Sequence, residues 1–256
     1  MRSALTAAVL AGLIMAGFWA GSSRAAEAEV TVDVASSYVF RGVTFNDGTV
    51  IQPGFSISGL PIAIGVWGNL DVDDYDGTLE SSQFSEVDLY ASYDVPLDME
   101  DIGVSVGYCE YLYPSAGGDA DREVSTSFSL DSILAPSVTF NYGIDGAIDK
   151  SLYIETGVSH GMDVTEEVSV EASAALGYAD IDEGESGFSH FQVGLSASYG
   201  IVTAGITYIG QIDDDVLPDA TDTVTVMDPL LGAVLVPGDL GYDSEIVATI
   251  GIAHTF

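Results

Sequence analysis

Acidic side chains spaced two residues apart recur along the chain and are the groups with the clearest chemistry. Glu86 and Asp88 form one such pair, and Asp33 stands in a similar setting near the start. Alternate residues of a β-strand point to one face, so these carboxylates would share a polar face that attracts cations. The residues predicted to face inward and line a lumen are Asp33, Arg41, Glu86, Asp88, Tyr90, Glu155, Glu171, His190 and Gln192.

Arg41 is a lone guanidinium among these carboxylates, and two roles are open for it. It would either brace the wall through ion pairs across the lumen or tune the charge selectivity of an open channel. The sequence favours neither role over the other.

A run of acidic residues between 71 and 77 resembles a calcium loop. Its carboxylates are Asp71, Asp73, Asp74 and Asp76, but its glycine comes one place late and no helix flanks it. Loose binding of divalent ions at the surface and a simply solvated acidic loop both remain open. No other metal site and no cofactor is predicted.

Histidine and serine show no catalytic pattern. The three histidines, His160, His190 and His254, lie far apart and form no short motif with a serine and an acid. We therefore expect no enzyme. An outer-membrane hydrolase would require a Ser, a His and an acid to converge at one rim of the fold.

The overall charge is strongly negative, with 5 Lys and Arg against 40 Asp and Glu and a formal net charge of −35. This balance excludes a nucleic-acid partner. The acidity fits either cation attraction or a solvated surface suited to a saline habitat. Cys109 is the single cysteine, so no intramolecular disulfide can form.

Apolar residues alternate with small or polar residues in segment after segment along the chain. About twelve segments of about nine to eleven residues follow this pattern, the number and length typical of a bacterial transmembrane barrel. The first segment runs from Val30 to Arg41 and places Tyr38 and Phe40 on its apolar face. The sequence thus predicts an all-β, antiparallel, up-and-down transmembrane barrel.

The connections between segments alternate between short and long. Short turns typically face the periplasm and long loops the outside, which places both termini in the periplasm. The longest outer loop is 211–244. Its apolar part, 224–237, with Met227, Leu230 and Leu231, would either fold inward as a constriction or extend as a hairpin above the barrel.

Both ends of the chain fit export to an outer membrane. Residues 1–25 combine Arg2, an apolar core and a small-residue cleavage site, which predicts a cleaved signal peptide ahead of a barrel domain over 26–256. The last segment ends with Phe256 on its apolar parity, as in barrels that insert into the outer membrane. Aromatic residues at segment ends fit an interfacial girdle in contact with outer-membrane lipid.

The segment 36–43, Ser-Ser-Tyr-Val-Phe-Arg-Gly-Val, resembles the opening strand of the TorF family of porins. Further matches are 52–55, 111–114 and 152–157. The resemblance implies a diffusion channel without a named substrate and without catalytic residues.

Together these features predict an outer-membrane porin through which small hydrophilic solutes, with a preference for cations, diffuse along a narrow acidic lumen. The alternative is a plugged structural or surface-interaction barrel without transport. About twelve strands lie between the eight of filled barrels and the sixteen of wide porins.

Overall fold

The computed structural model describes residues 26–73, 81–99, 101–115, 119–213, 216–217, 223–228, 232–237 and 244–256. The predicted signal peptide, 1–25, lies outside the described residues. Within them, sixteen strands and one short 3-10 turn form. Their bounds are β1 Glu27–Ala35, β2 Tyr38–Phe40, β3 Val43–Asn46, β4 Val50–Ser58, β5 Ala63–Asp71, β6 Gln83–Asp94, β7 Ile102–Leu112, β8 Asp121–Leu130, β9 Ser137–Asp145, the 3-10 turn Gly146–Ile148, β10 Leu152–Asp163, β11 Val168–Asp180, β12 Ser186–Tyr199, β13 Val202–Gln211, β14 Thr223–Asp228, β15 Gly232–Pro237 and β16 Ser244–Thr255.

Twelve of these strands close into one antiparallel barrel, which confirms the predicted fold. The order around the wall is β1, β16, β13, β12, β11, β10, β9, β8, β7, β6, β5 and β4, and β4 pairs with β1 again. Closure leaves no unpaired strand edge, as a sheet surrounded by lipid requires.

The strands alternate because their two faces meet different surroundings. The outer face carries exposed apolar side chains such as Leu195, Ile206 and Ile250, while the buried side chains are mainly polar. This distribution is the reverse of a soluble protein's and matches a barrel that faces lipid. No helix among the described residues has the length and hydropathy to cross a membrane.

The barrel strands contain 9 to 14 residues. At about 3.3 Å per residue and a tilt of about 40°, they span about 23–35 Å along the axis, which covers an apolar band of about 25 Å. The two described chain ends lie at the same end of the barrel, where the Phe256 amide donates to the Ala28 carbonyl at 2.8 Å.

The remaining four strands form two separate hairpins, β2–β3 and β14–β15. The first of them corrects one prediction: the opening strand ends at Ala35 and does not continue to Arg41. Tyr38 and Phe40 therefore lie in a hairpin, and their predicted place on the outer face is wrong. Tyr38 and Phe40 continue the parity of Val34, which is compatible with both arrangements, so only the rest of the fold distinguishes them.

Candidate functional site in the barrel lumen

Residues 36–49, which contain β2 and β3 and which we call the lumen hairpin, enter the barrel interior. The hairpin leaves the wall at Ala35 and rejoins it at Val50, two residues that pair directly in the β1–β4 ladder. Its side chains contact strands on widely separated parts of the wall. These wall partners are Trp67 on β5, Glu86 on β6, Tyr111 on β7, Glu123 on β8, Tyr153 on β10 and Glu245 on β16. The hairpin thus crosses the lumen near the end opposite the chain termini.

The tip of the lumen hairpin is a tight turn at Arg41 and Gly42. Both residues have positive φ, 52° and 87°, as in the two-residue turns that connect twisted strands. Gly42 suits this conformation, and a Cβ there would lie 2.6 Å from the Cβ of His190. The Gln211 amide donates to the Gly42 carbonyl at 3.0 Å, so the tip rests against β12 and β13.

Arg41 is held by a set of wall residues that we call the guanidinium site: Glu123, Tyr111 and Tyr153. The Arg41 Nη2 donates to both Glu123 carboxylate oxygens at 2.9 Å, and the Tyr111 hydroxyl donates to one of them at 2.7 Å. The guanidinium carbon lies 4.3 Å from the centre of the Tyr153 ring. A charge-assisted contact and a cation–π contact therefore converge on one group.

A second contact joins the hairpin to the acidic wall. The buried Tyr38 hydroxyl donates to Glu86 Oε2 at 2.7 Å, and Glu86 is followed on the same face by Asp88. Burial, together with the nearby Glu86 and Asp88 carboxylates, raises the pKa of Tyr38 well above 10. The phenol consequently stays protonated and remains a donor.

The base of the hairpin joins a buried amide network. Asn46 and Asn69 both donate to the Asp71 Oδ1 atom, at 2.8 and 3.0 Å, and Gln52 donates to Asn69. Asp71, the first carboxylate of the acidic run 71–77, thus takes part in holding the hairpin. Asp74 and Asp76 lie outside the described residues, and no group of three or more His, Cys, Asp or Glu within the described ranges could hold a metal ion.

The buried acidic groups around the hairpin outnumber the cations. Asp71, Glu86, Asp88, Asp121 and Glu123 are all buried near it. The other two described cations lie elsewhere: Arg122 pairs with Glu110 and Asp145, and Lys150 with Asp149 and Asp182. Among the described side chains, the buried oxygens Asp88 Oδ1 and Gln211 Oε1 lack a hydrogen-bond partner.

The structure divides the predicted lumen-lining residues between two zones. Glu86, Asp88, His190 and Gln192 are buried around the hairpin. Asp33, Tyr90, Glu155 and Glu171 are less deeply buried, and Glu171, near the turn between β10 and β11, is exposed. Arg41 lies at the hairpin tip and not on a wall strand, and it makes the ion pair with Glu123.

Most of the apolar loop residues named as a candidate constriction lie outside the residues that the structure describes. Met227 lies in β14, which pairs with β15 in a two-stranded sheet separate from the barrel sheet. Leu230 and Leu231 lie outside the described residues. The segment found in the lumen is the 36–49 hairpin, whose first part, 36–41, falls in the predicted first wall strand.

Serine and histidine do meet at one place. The Ser189 Oγ lies 3.1 Å from His190 Nδ1, and both side chains are almost completely buried. Ser189 occupies a register shift in the β11–β12 ladder opposite Gly177, so two successive side chains turn inward. The His190 ring packs parallel to Tyr153, a position that supports the hairpin tip and offers no access to a substrate.

Sequence reasoning missed Glu123, Tyr111 and Tyr153. A signal was present, because Glu123 alternates with the apolar Val124 and so has inward parity, as does Tyr153 two residues before Glu155. Large aromatic residues on the hydrophilic parity indicate that something packs against the inner wall.

These observations define the class of the protein: a twelve-stranded outer-membrane-type β-barrel with a hairpin across its lumen. A family model described as "Bacterial protein of unknown function (Gcw_chp)" matches residues 19–230, and the chain belongs to that family. A search of curated proteins finds no match.

Solved structures of outer-membrane proteins are similar to this chain at low sequence identity. The COG4313 outer membrane channel from Pseudomonas putida F1 has a TM-score of 0.52 at 8% identity, covering 95% of this chain and 100% of that one. LpxR from Salmonella typhimurium has a TM-score of 0.46 at 9% identity, with 89% and 100% covered. OmpT, an outer membrane protein of Vibrio cholerae, has a TM-score of 0.39 at 10% identity, with 91% and 98% covered.

Proposed function

We propose that this protein is an outer-membrane channel through which small hydrophilic solutes diffuse, with a preference for cations, and that the lumen hairpin is its constriction. The observation that carries the proposal is the combination of a closed apolar-faced barrel with a polar, acidic interior. The outer face meets lipid, and the short turns and chain ends face the periplasm after export.

Small side chains on the inner face support a water-filled lumen below the hairpin. A twelve-stranded barrel whose interior serves only as a core would need large side chains to fill it. Toward the chain ends the inner face instead carries mainly serine and glycine. Examples paired across the strands are Ser105 with Ser127, Gly103 with Ser129, Ser173 with Ser159, and Ser196 with Gly205.

The inner carboxylates support the cation preference. Asp33, Glu155 and Glu171 lie on the inner parity of three different strands. A polar path enclosed by a low-dielectric wall focuses the field of such charges, which raises the local concentration of cations and lowers that of anions. We expect no cofactor and no catalytic step.

The second candidate function is a plugged barrel without transport, which would serve a structural role or contact ions and partners through its outer loops. The lumen hairpin favours it, because its contacts reach from β5 to β16 and bury the polar wall around it.

Planar-bilayer recording of the purified protein separates the two functions. The matched variant replaces residues 36–49 by Asn-Gly, a two-residue turn suited to joining Ala35 and Val50, which already pair in the sheet. A channel gives single-channel steps in the wild type and larger ones in this hairpin-deleted variant. A silent wild type beside a conducting variant would identify a plugged barrel.

A further inference from the structure

The Arg41 side chain extends from the hairpin tip and contacts the residues of the barrel wall as a bound ligand would. Glu123 contacts it through both carboxylate oxygens, and Tyr153 covers one face of the guanidinium. The Glu123 side chain is 6% exposed and Tyr153 is 8% exposed, so the site is largely enclosed.

The wall residues are positioned by one another and not only by Arg41. The Tyr111 hydroxyl donates to Glu123, and the Tyr153 hydroxyl donates to Glu155 at 3.0 Å. The Tyr153 ring also lies parallel to the His190 ring, at an interplanar angle of 4°. These contacts among wall residues do not involve the guanidinium.

The chemistry of the site selects a planar cation. A carboxylate that offers two oxygens matches the fork of a guanidinium, and an aromatic face accepts its flat surface. A compact ammonium group would use these contacts less completely, and an anion would be repelled by the buried carboxylates nearby.

We propose that the guanidinium site is a ligand site that Arg41 fills from within the chain, and that small guanidinium-bearing solutes compete with Arg41 for it. A bound solute displaces the hairpin tip and so opens the lumen. This inference rests on the proposed channel function for its consequence, but the binding site itself does not depend on conductance.

Calorimetric titration with methylguanidinium tests the site. The wild type binds weakly, because the ligand must displace Arg41. In Arg41→Gly, where glycine accepts the left-handed turn, we expect the half-saturating concentration to fall by about tenfold or more, since the internal competitor is gone. Adding Glu123→Gln to this variant abolishes binding, and methylammonium binds several times more weakly. Tyr153→Leu added to Arg41→Gly provides a second variant and weakens methylguanidinium binding, because the aromatic face is lost and no internal competitor is present.

Hairpin displacement has its own readout in Trp67, whose ring centre lies 5.7 Å from that of Tyr38. Methylguanidinium should change Trp67 emission in the wild type and leave it unchanged in Glu123→Gln. Absence of saturable binding to Arg41→Gly, or binding unaffected by Glu123→Gln, overturns the inference.

Conductance measurements distinguish failure of the ligand-site inference from failure of the channel proposal. If the hairpin-deleted variant conducts while Arg41→Gly binds no methylguanidinium, the ligand site is wrong and the channel stands. If methylguanidinium binds as described but neither chain conducts, the channel is wrong and the site stands.

Discussion

Glu123→Gln should release the lumen hairpin, because it removes the charge that holds Arg41. Two Arg41–Glu123 contacts at 2.9 Å and a Tyr111 hydrogen bond converge on this carboxylate, whose side chain is 6% exposed. Removal of one partner from a buried ion pair costs about 3–5 kcal/mol.

The lower end of that range applies here. The Arg41 side chain is 21% exposed, so water compensates part of its lost charge. The buried Glu86 also attracts it. We therefore expect the seated hairpin to lose about 3 kcal/mol, which changes the ratio of channels with a displaced hairpin to channels with a seated hairpin by about 150-fold.

Single-channel recording measures this ratio directly from the time spent in each conductance level. Glu110→Gln is the matched control: it removes the same charge from the neighbouring strand, where Glu110 pairs with Arg122 away from the hairpin. If Glu123→Gln and Glu110→Gln both keep the wild-type ratio, Arg41 does not hold the hairpin closed.

Three further predictions follow from the same structure. Gly42→Ala should also favour the displaced hairpin, by about tenfold, because it places a Cβ 2.6 Å from the His190 Cβ in a backbone with φ of 87°. Gly200→Ala is the control for this recording, because Gly200 lies at a positive-φ turn with open space around it. The combined change Asp33→Asn and Glu171→Gln should move the reversal potential in a KCl gradient toward zero while the step size stays similar, and an unchanged potential would remove these carboxylates from the selectivity argument. Phe256→Ser should slow assembly into lipid vesicles several-fold, measured by the heat-dependent gel shift of folded barrels, whereas equal rates would leave the 74% exposed Phe256 ring without a role in insertion.

The barrel could be predicted from the sequence because each wall strand alternates apolar residues, which face lipid, with polar or small residues, which face the lumen. Strands such as β10 and β16 keep this pattern over most of their length, so their position follows largely from period two. Closure then follows from the need to pair every edge, and the count of twelve from the number of alternating segments.

The lumen hairpin could not be predicted in the same way. Tyr38 and Phe40 share the parity of the apolar residues Val32 and Val34 of the first wall strand, and only contacts with distant strands show that they lie inside. The pair Glu123 and Arg41 is separated by 82 positions, and no local pattern relates residues so far apart. The alternatives for the acidic loop, loose ion binding or a solvated surface, and for Leu230 and Leu231, a constriction or a hairpin above the barrel, stay open.

The central claim is that the acidic lumen conducts and that the hairpin narrows it. Its most direct test is the single-channel current and reversal potential of the wild type and of the variant in which Asn-Gly replaces residues 36–49, recorded in a KCl gradient. The account predicts larger steps in the variant and a preference for K⁺ over Cl⁻ in both. A variant without conductance steps, or a preference for Cl⁻, would contradict it.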